Sequence, residues 1–171
     1  MAVTTEVDEV LTVLAALDTV GCRAWVGGGW GVDALVGRQT RPHRDVDLAV
    51  DADRLDVALT AIGAIGYVVE TDWLPIRVEL HRPGRGRVDV HPVTFDADGD
   101  GLQAGLDGGV FRYPAAGLVT GRIGGVRVGC LSRQLQVAFH TGYPPREVDR
   151  LDLAVLASLD PAAGADPLAA S

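Results

Sequence analysis

The sequence predicts an α+β fold: a mixed β-sheet flanked by helices and closed by a short C-terminal helical segment from about residue 132. Three observations predict it. A short apolar strand runs into Gly27-Gly28-Gly29, and a helix pattern follows the glycines. Residues 76–92 alternate in polarity on both sides of a turn made by Pro83, Gly84 and Gly86, the mark of a hairpin. The later chain does not continue as βαβ units, so the sheet is not doubly wound.

In chain order, Val7, Val10, Leu11, Leu14 and Leu17 recur at helical spacing, with Thr4 or Thr5 suited to cap the helix and Gly21 to stop it. Residues 23–26 form a short strand. Residues 30–37 read as a helix with Leu35 and Val36 inward, and Asp33 in its first turn complements the dipole. Residues 37–44 form a loop, 45–50 a second strand, 51–66 a helix with Leu55, Ala58, Leu59, Ile62 and Ile65 on one side, and 67–70 a third strand. Ile76, Val78 and Leu80 alternate with Arg77, Glu79 and His81 in the first arm of the hairpin, and residues 87–92 form the second. Asp96, Asp98 and Asp100, with Asp107 at the twelfth position, imitate a calcium loop. Neither flank is helical, so the stretch reads as an acidic turn. Tyr113, Leu118, Val119, Ile123, Val126 and Val128 suggest short extended segments. Ser132 caps a helix through His140, residues 141–144 break it, and Pro145 opens a last helix to about residue 159 with Leu151, Ala154, Val155 and Leu156 inward.

The 171 residues suit one domain over 1–160, with an Ala-rich tail, 161–171, that has little to bury and frays. No run approaches the roughly 18–20 apolar residues of a membrane span. The N-terminus carries Glu6, Asp8 and Glu9 in place of a basic leader, which points to a cytoplasmic protein. Cys22 and Cys130 lack CxxC spacing and read as buried thiols. A net charge of −8 opposes nucleic-acid binding, which rests on basic surface. A small acceptor is the expected partner, and a cationic one gains from the acidic field.

The chemistry concentrates in residues 25–50. Glycines between strand and helix let the backbone approach a ligand, and the helix N-terminus favours an anion there. Asp45 and Asp47 leave one face of a strand, with Val46, Leu48 and Val50 on the other. Two adjacent carboxylates repel unless a cation sits between them, and Mg²⁺ with phosphate oxygens suits. Arg41 and Arg44 are candidates for a triphosphate, whereas His43 reads as a brace. Asp89 shares the alternation of Arg87 and His91, so it reaches the same surface if the strands are neighbours. Its plainer role is an ion pair with Arg77 or Arg87. Gly29-Trp30-Gly31-Val32-Asp33-Ala34 also fits a dinucleotide fingerprint, with Asp51 or Asp53 as the ribose acid, but that reading leaves Asp45 and Asp47 without a task.

These residues carry a family resemblance. The chain resembles the lincosamide nucleotidyltransferases and, more distantly, the aminoglycoside 2″-nucleotidyltransferases of the DNA-polymerase-β-like superfamily. The matching stretches are Gly28 to Asp33, Thr40 to Asp47, Trp73-Leu74-Pro75, Val88 to Pro92, Asp98-Gly99, Gly108-Gly109, His140 to Tyr143 and Glu147 to Asp152. The resemblance implies a nucleotidyltransferase fold and Mg²⁺-dependent transfer of AMP from ATP to a hydroxyl of a small-molecule antibiotic, with a lincosamide foremost. Asp45 and Asp47 would hold two metal ions, and Asp89 would act as base or third ligand. Gly28, Gly29, Trp30, Arg41 and Arg44 would bind nucleotide. His91, His140 and Tyr143 would meet substrate or an interface, and a homodimer is the family's suggestion. Many superfamily members place Ser where Gly29 stands, so backbone N–H groups must serve here. Residues 102–121 and the loop after Asp47 differ most from the antibiotic enzymes, and the acceptor is expected there. The alternatives are an aminoglycoside nucleotidyltransferase, a protein-modifying nucleotidyltransferase of toxin–antitoxin type, and a non-catalytic nucleotide-binding module.

Overall fold

The computed structural model describes residues 3–161; the expected frayed tail, apart from Pro161, lies outside them. The helices are α1 (Val7–Thr19), α2 (Gly28–Val36), α3 (Leu55–Ala64), α4 (Arg133–Phe139) and α5 (Glu147–Ser158). The strands are β1 (Ala24–Gly27), β2 (Asp45–Asp51), β3 (Val68–Trp73), β4 (Arg77–Arg82), β5 (Gly86–Phe95), β6 (Gly101–Ala104), β7 (Val110–Tyr113), β8 (Leu118–Ile123) and β9 (Val126–Leu131). The sheet runs β3-β4-β5-β2-β1-β9-β8, with β6 and β7 added beyond the C-terminal part of β5. Pairs β2/β5 and β1/β9 are parallel and the others antiparallel, so the sheet is mixed, as expected.

The period-two alternation divides this sheet between core and site. Val78, Val90, Leu48, Val26 and Cys130 stand in one cross-strand row and join Val10, Val13, Leu17, Ala58 and Ile62 of α1 and α3 in the main core. The opposite face carries Asp47, Asp89 and His91, bounded by a smaller cluster of Trp25, Ala49, Val93, Tyr113, Leu131 and Leu135. The rigid apolar row behind β2 and β5 thus fixes the carboxylates in front of it.

Several local expectations give way to tertiary partners. Neither Thr4 nor Thr5 caps α1, whose N-cap residue is Glu6. Thr5 is fully buried; its hydroxyl donates to Arg44 O at 2.9 Å and accepts from Arg87 N at 3.1 Å, tying the N-terminal segment to the starts of β2 and β5. Gly21 ends α1 as expected, with φ +65° and its N–H on Asp18 O. Helix α2 begins at Gly28 and turns Trp30, Val32 and Ala34 inward, while Leu35 is partly buried. Residues 52–54 form a 3₁₀ turn before α3, closed by Asp53 N donating to Asp51 Oδ1 at 3.0 Å. Pro145 precedes the Arg146 N-cap of α5 and so lies outside the helix. The buried positions of α5 are Asp149, Asp152 and Leu156, whereas Leu151 and Ala154 are exposed. No helix among the described residues is long and apolar enough to cross a membrane.

Candidate active site

Strand register builds the centre of the site. Gly27 pairs with Asp47, Asp47 with Asp89, and Asp89 with Glu79, so one polar row crosses four strands. Asp89 is the expected neighbour of Asp47 because β2 and β5 are adjacent and parallel. Ligand atoms of Asp47, Asp89 and His91 lie within 4.8 Å of one another. Asp45 lines the same cleft but is outside that group: it pairs with Arg44 at 3.1 Å and stands opposite Arg87.

The electrostatics of these acids differ. Burial, then repulsion from Asp47 and Asp45, pushes Asp89 up to about 7. Its Oδ2 accepts from Arg77 Nη1 at 3.2 Å, the ion pair that sequence offered as its plainer role. Its Oδ1 is buried without a partner among the described residues. Burial and Asp47 also raise Asp45. Burial acts upward on Asp47 too, but the hydrogen bond from His91 and the fields of Arg77 and Arg146 leave its carboxyl below the usual value. An orphaned carboxylate oxygen beside a second carboxylate is the donor set a hard divalent cation takes, so these residues fit one.

Helix α2 aims its N-terminus at this row. Gly28 has φ +57°, and a Cβ there would collide with Asp47 Oδ2; a Cβ on Gly29 would collide with His43 and Arg41. His43 is a brace: its Nε2 lies 2.5 Å from Asp33 Oδ2, while Asp33 Oδ1 accepts from Thr40 N at 3.0 Å and Thr40 Oγ1 at 2.5 Å. His43 Nδ1, at the Gly29 edge of the cleft, is buried without a partner among the described residues. Trp30 departs from its expected place at a nucleotide. It is 1% exposed in the core, its ring 4.7 Å from that of His43, because α2 needs a large apolar side chain against the sheet. Arg41 also departs. Its Nε and Nη2 fork onto Asp152 at 2.8 and 2.7 Å and its Nη1 donates to Pro42 O at 3.1 Å, which engages three of its five N–H donors. Arg44 is largely exposed beside Asp45.

The cleft encloses about 730 Å³, within the usual size for small-molecule sites. Phe111, Tyr113 and Phe139 form an aromatic wall, with Phe139 edge-on to both others. Helix α5 forms the facing side with Asp149 and Asp152. His140 Nδ1 donates to Gln136 O at 2.6 Å and its Nε2 lies 3.9 Å from Asp152; that carboxylate raises the pKa of His140 against the effect of burial. Tyr143 is 43% exposed at the rim. The stretch 102–121 was expected at the acceptor, but Gln103, Phe111 and Tyr113 were not singled out within it, and Phe139 was missed. Residue type alone carried no signal for them, since only the pairing of β6 with β5 brings Gln103 to His91.

A mixed sheet with a glycine-led helix facing paired strand carboxylates defines a nucleotidyltransferase-like fold and site. A family model described as aminoglycoside-2″-adenylyltransferase matches residues 9–156. The chain belongs to that family and is by membership a nucleotidyltransferase. It is 33% identical over 151 residues to a lincosamide resistance protein of Staphylococcus haemolyticus, covering 88% of this chain and 94% of the relative. A lincomycin-bound lincosamide antibiotic adenylyltransferase superposes with a TM-score of 0.82 at 32% identity, covering 91% of this chain and 98% of that one. A 2″-aminoglycoside nucleotidyltransferase of Escherichia coli is 45% identical, but over only 51 residues, 30% of this chain and 29% of the relative.

Proposed function

We propose that the protein transfers AMP from ATP, with Mg²⁺, to a hydroxyl of a small-molecule antibiotic, a lincosamide before an aminoglycoside. The observation that carries this reading is the register of Asp47 against Asp89, with an unpartnered buried oxygen on Asp89, at the N-terminus of α2. The likeness along nearly the whole chain to a lincosamide resistance protein supports the acceptor class, and the aromatic wall offers an apolar acceptor surface. The acidic cleft suits an amine on the acceptor.

In this reading Asp47 and Asp89 hold divalent cation, and Asp45 extends the acidic row. The metal, when bound, offsets phosphate charge and orients the α-phosphorus. The N-terminus of α2 receives the triphosphate through backbone N–H groups. Asp89 takes the proton of the attacking hydroxyl, a task for a carboxylate within hydrogen-bond reach of it. Oxygen then bonds to the α-phosphorus as the bond to pyrophosphate breaks.

The test is to incubate the protein with ATP, Mg²⁺ and a panel of lincosamides and aminoglycosides and to look by mass spectrometry for an acceptor carrying AMP. Asp47→Asn should lower the transfer rate by about a thousandfold or more while the far-ultraviolet circular dichroism stays that of a folded protein. Unchanged turnover by that variant would refute the assignment.

A further inference from the structure

We propose that Gln103, backed by Tyr113, is a positioning residue that fixes the His91 imidazole as its Nε2–H tautomer, making His91 a hydrogen-bond donor to Asp47 and not a metal ligand. The inference rests on the proposed function only for the importance it gives Asp47.

Proximity alone groups His91 with Asp47 and Asp89 as a potential ligand. The hydrogen-bond directions assign it differently. Gln103 Nε2 lies 3.2 Å from Ile76 O and 3.1 Å from His91 Nδ1, and Gln103 Oε1 lies 2.5 Å from Tyr113 Oη. A backbone carbonyl only accepts, so the nitrogen of the amide must face Ile76; the reversed amide would set two acceptors against each other. Tyr113 can then donate to Oε1, which completes the amide. Both hydrogens of Nε2 are thereby engaged, one on Ile76 O and one on His91 Nδ1. A ring nitrogen that accepts carries no proton, so the neutral imidazole carries its proton on Nε2.

That Nε2 lies 3.0 Å from Asp47 Oδ1. A proton there removes the lone pair a metal would need and makes the contact a charge-assisted hydrogen bond. The oxygens of Asp47 are therefore divided: Oδ1 is held by His91, while Oδ2 lies at Gly28 by the helix N-terminus. Gln103 and Tyr113 are 5% and 4% exposed, so little water competes for the network. Outer partners that orient a metal-holding side chain commonly matter tenfold to a hundredfold.

The experiment reads the tautomer directly, by long-range proton–nitrogen correlation on uniformly ¹⁵N-labelled protein at about pH 8, where a free histidine is neutral. Wild type should show His91 protonated on Nε2. Gln103→Glu replaces the donor at Nδ1 with an acceptor while Asp47 still accepts at Nε2, so the same spectrum should show a proton on both ring nitrogens. Gln103→Leu should lower kcat about tenfold with the KM for ATP within twofold. A wild-type spectrum with His91 protonated on Nδ1, or wild-type Zn²⁺ binding that displaces the proton from His91 Nε2, overturns the proposal. The wild-type spectrum needs no variant to fold. It also decides the matter if no acceptor receives AMP, an outcome that would count against the proposed function alone.

Discussion

Arg41 and Asp152 are 111 positions apart in sequence and meet as a two-pronged pair, Nε on Oδ1 at 2.8 Å and Nη2 on Oδ2 at 2.7 Å. The Asp152 side chain is 4% exposed and that of Arg41 20%. The pair fastens α5 to the loop that leads into β2, with the His140 imidazole near the same carboxylate. Removing Asp152 leaves a half-buried guanidinium with no acid, and breaking such pairs is costly even where forming them yields little. Asp152→Ala should destabilise the protein by about 3 kcal/mol in urea titration. In a double-mutant cycle with Arg41→Ala, the second substitution should cost much less than the first. Equal, additive losses would mean that the two side chains do not act as a unit.

Gly28 sits where only glycine serves. Its φ of +57° costs an L-residue roughly 1–2 kcal/mol, and a Cβ would press on Asp47 Oδ2. Gly28→Ala should therefore reduce kcat by about a hundredfold, the effect of a misplacement on the order of 1 Å, with a modest fall in thermal midpoint. Retained kcat would show that the Asp47 carboxylate has another acceptable position.

Asp89 makes metal-free stability depend on pH in a defined direction. Burial and the neighbouring acids raise its folded value to about 7, from an ordinary 3.8. Between those values the folded protein holds a proton that the unfolded chain has released, so this group's contribution favours folding as pH falls through 7. In chelator, the wild-type thermal midpoint should rise between about pH 8 and pH 6. His140, also raised, acts in the same direction, so the comparison needs Asp89→Asn, which should flatten much of the slope. Mg²⁺ should stabilise wild type more at the higher pH, where the carboxylate is charged. An identical slope in the variant would assign the dependence to other groups.

The sequence was informative wherever one alternation or one glycine decided the outcome. Asp45, Asp47 and Asp89 against Val46, Leu48, Val88 and Val90 marked the two faces of β2 and β5, and Gly21 marked the end of α1. It was silent where a partner distant in the chain decides. Thr5 resembles a helix cap but is drawn to Arg44 and Arg87, and Arg41 resembles a phosphate ligand but has Asp152. Trp30 lies within the glycine motif yet points into the core. Gln103 acquires its place only when β6 adds to β5.

Helix α5 is the sharpest such case, because apolar periodicity placed Leu156 inward but also turned Leu151 and Ala154 inward in place of two acids. Its buried residues Asp149, Asp152 and Leu156 fall at a spacing of three and four, a proper helical stripe, but two of them are acids. Asp149 accepts from Arg146 N at 2.8 Å and Nη2 at 3.0 Å, and that hydrogen bonding outweighs burial and holds it down to about 2. The stripe is polar because it borders the cleft, and Leu151 is left 51% exposed. Leu151→Gln should therefore change stability by no more than about 0.5 kcal/mol, whereas Leu156→Ala, at a fully buried position, should cost about 3 kcal/mol. Denaturant titration of the two variants separates the faces. A large loss at Leu151 would mean that this exposed side chain is covered in solution by a second molecule.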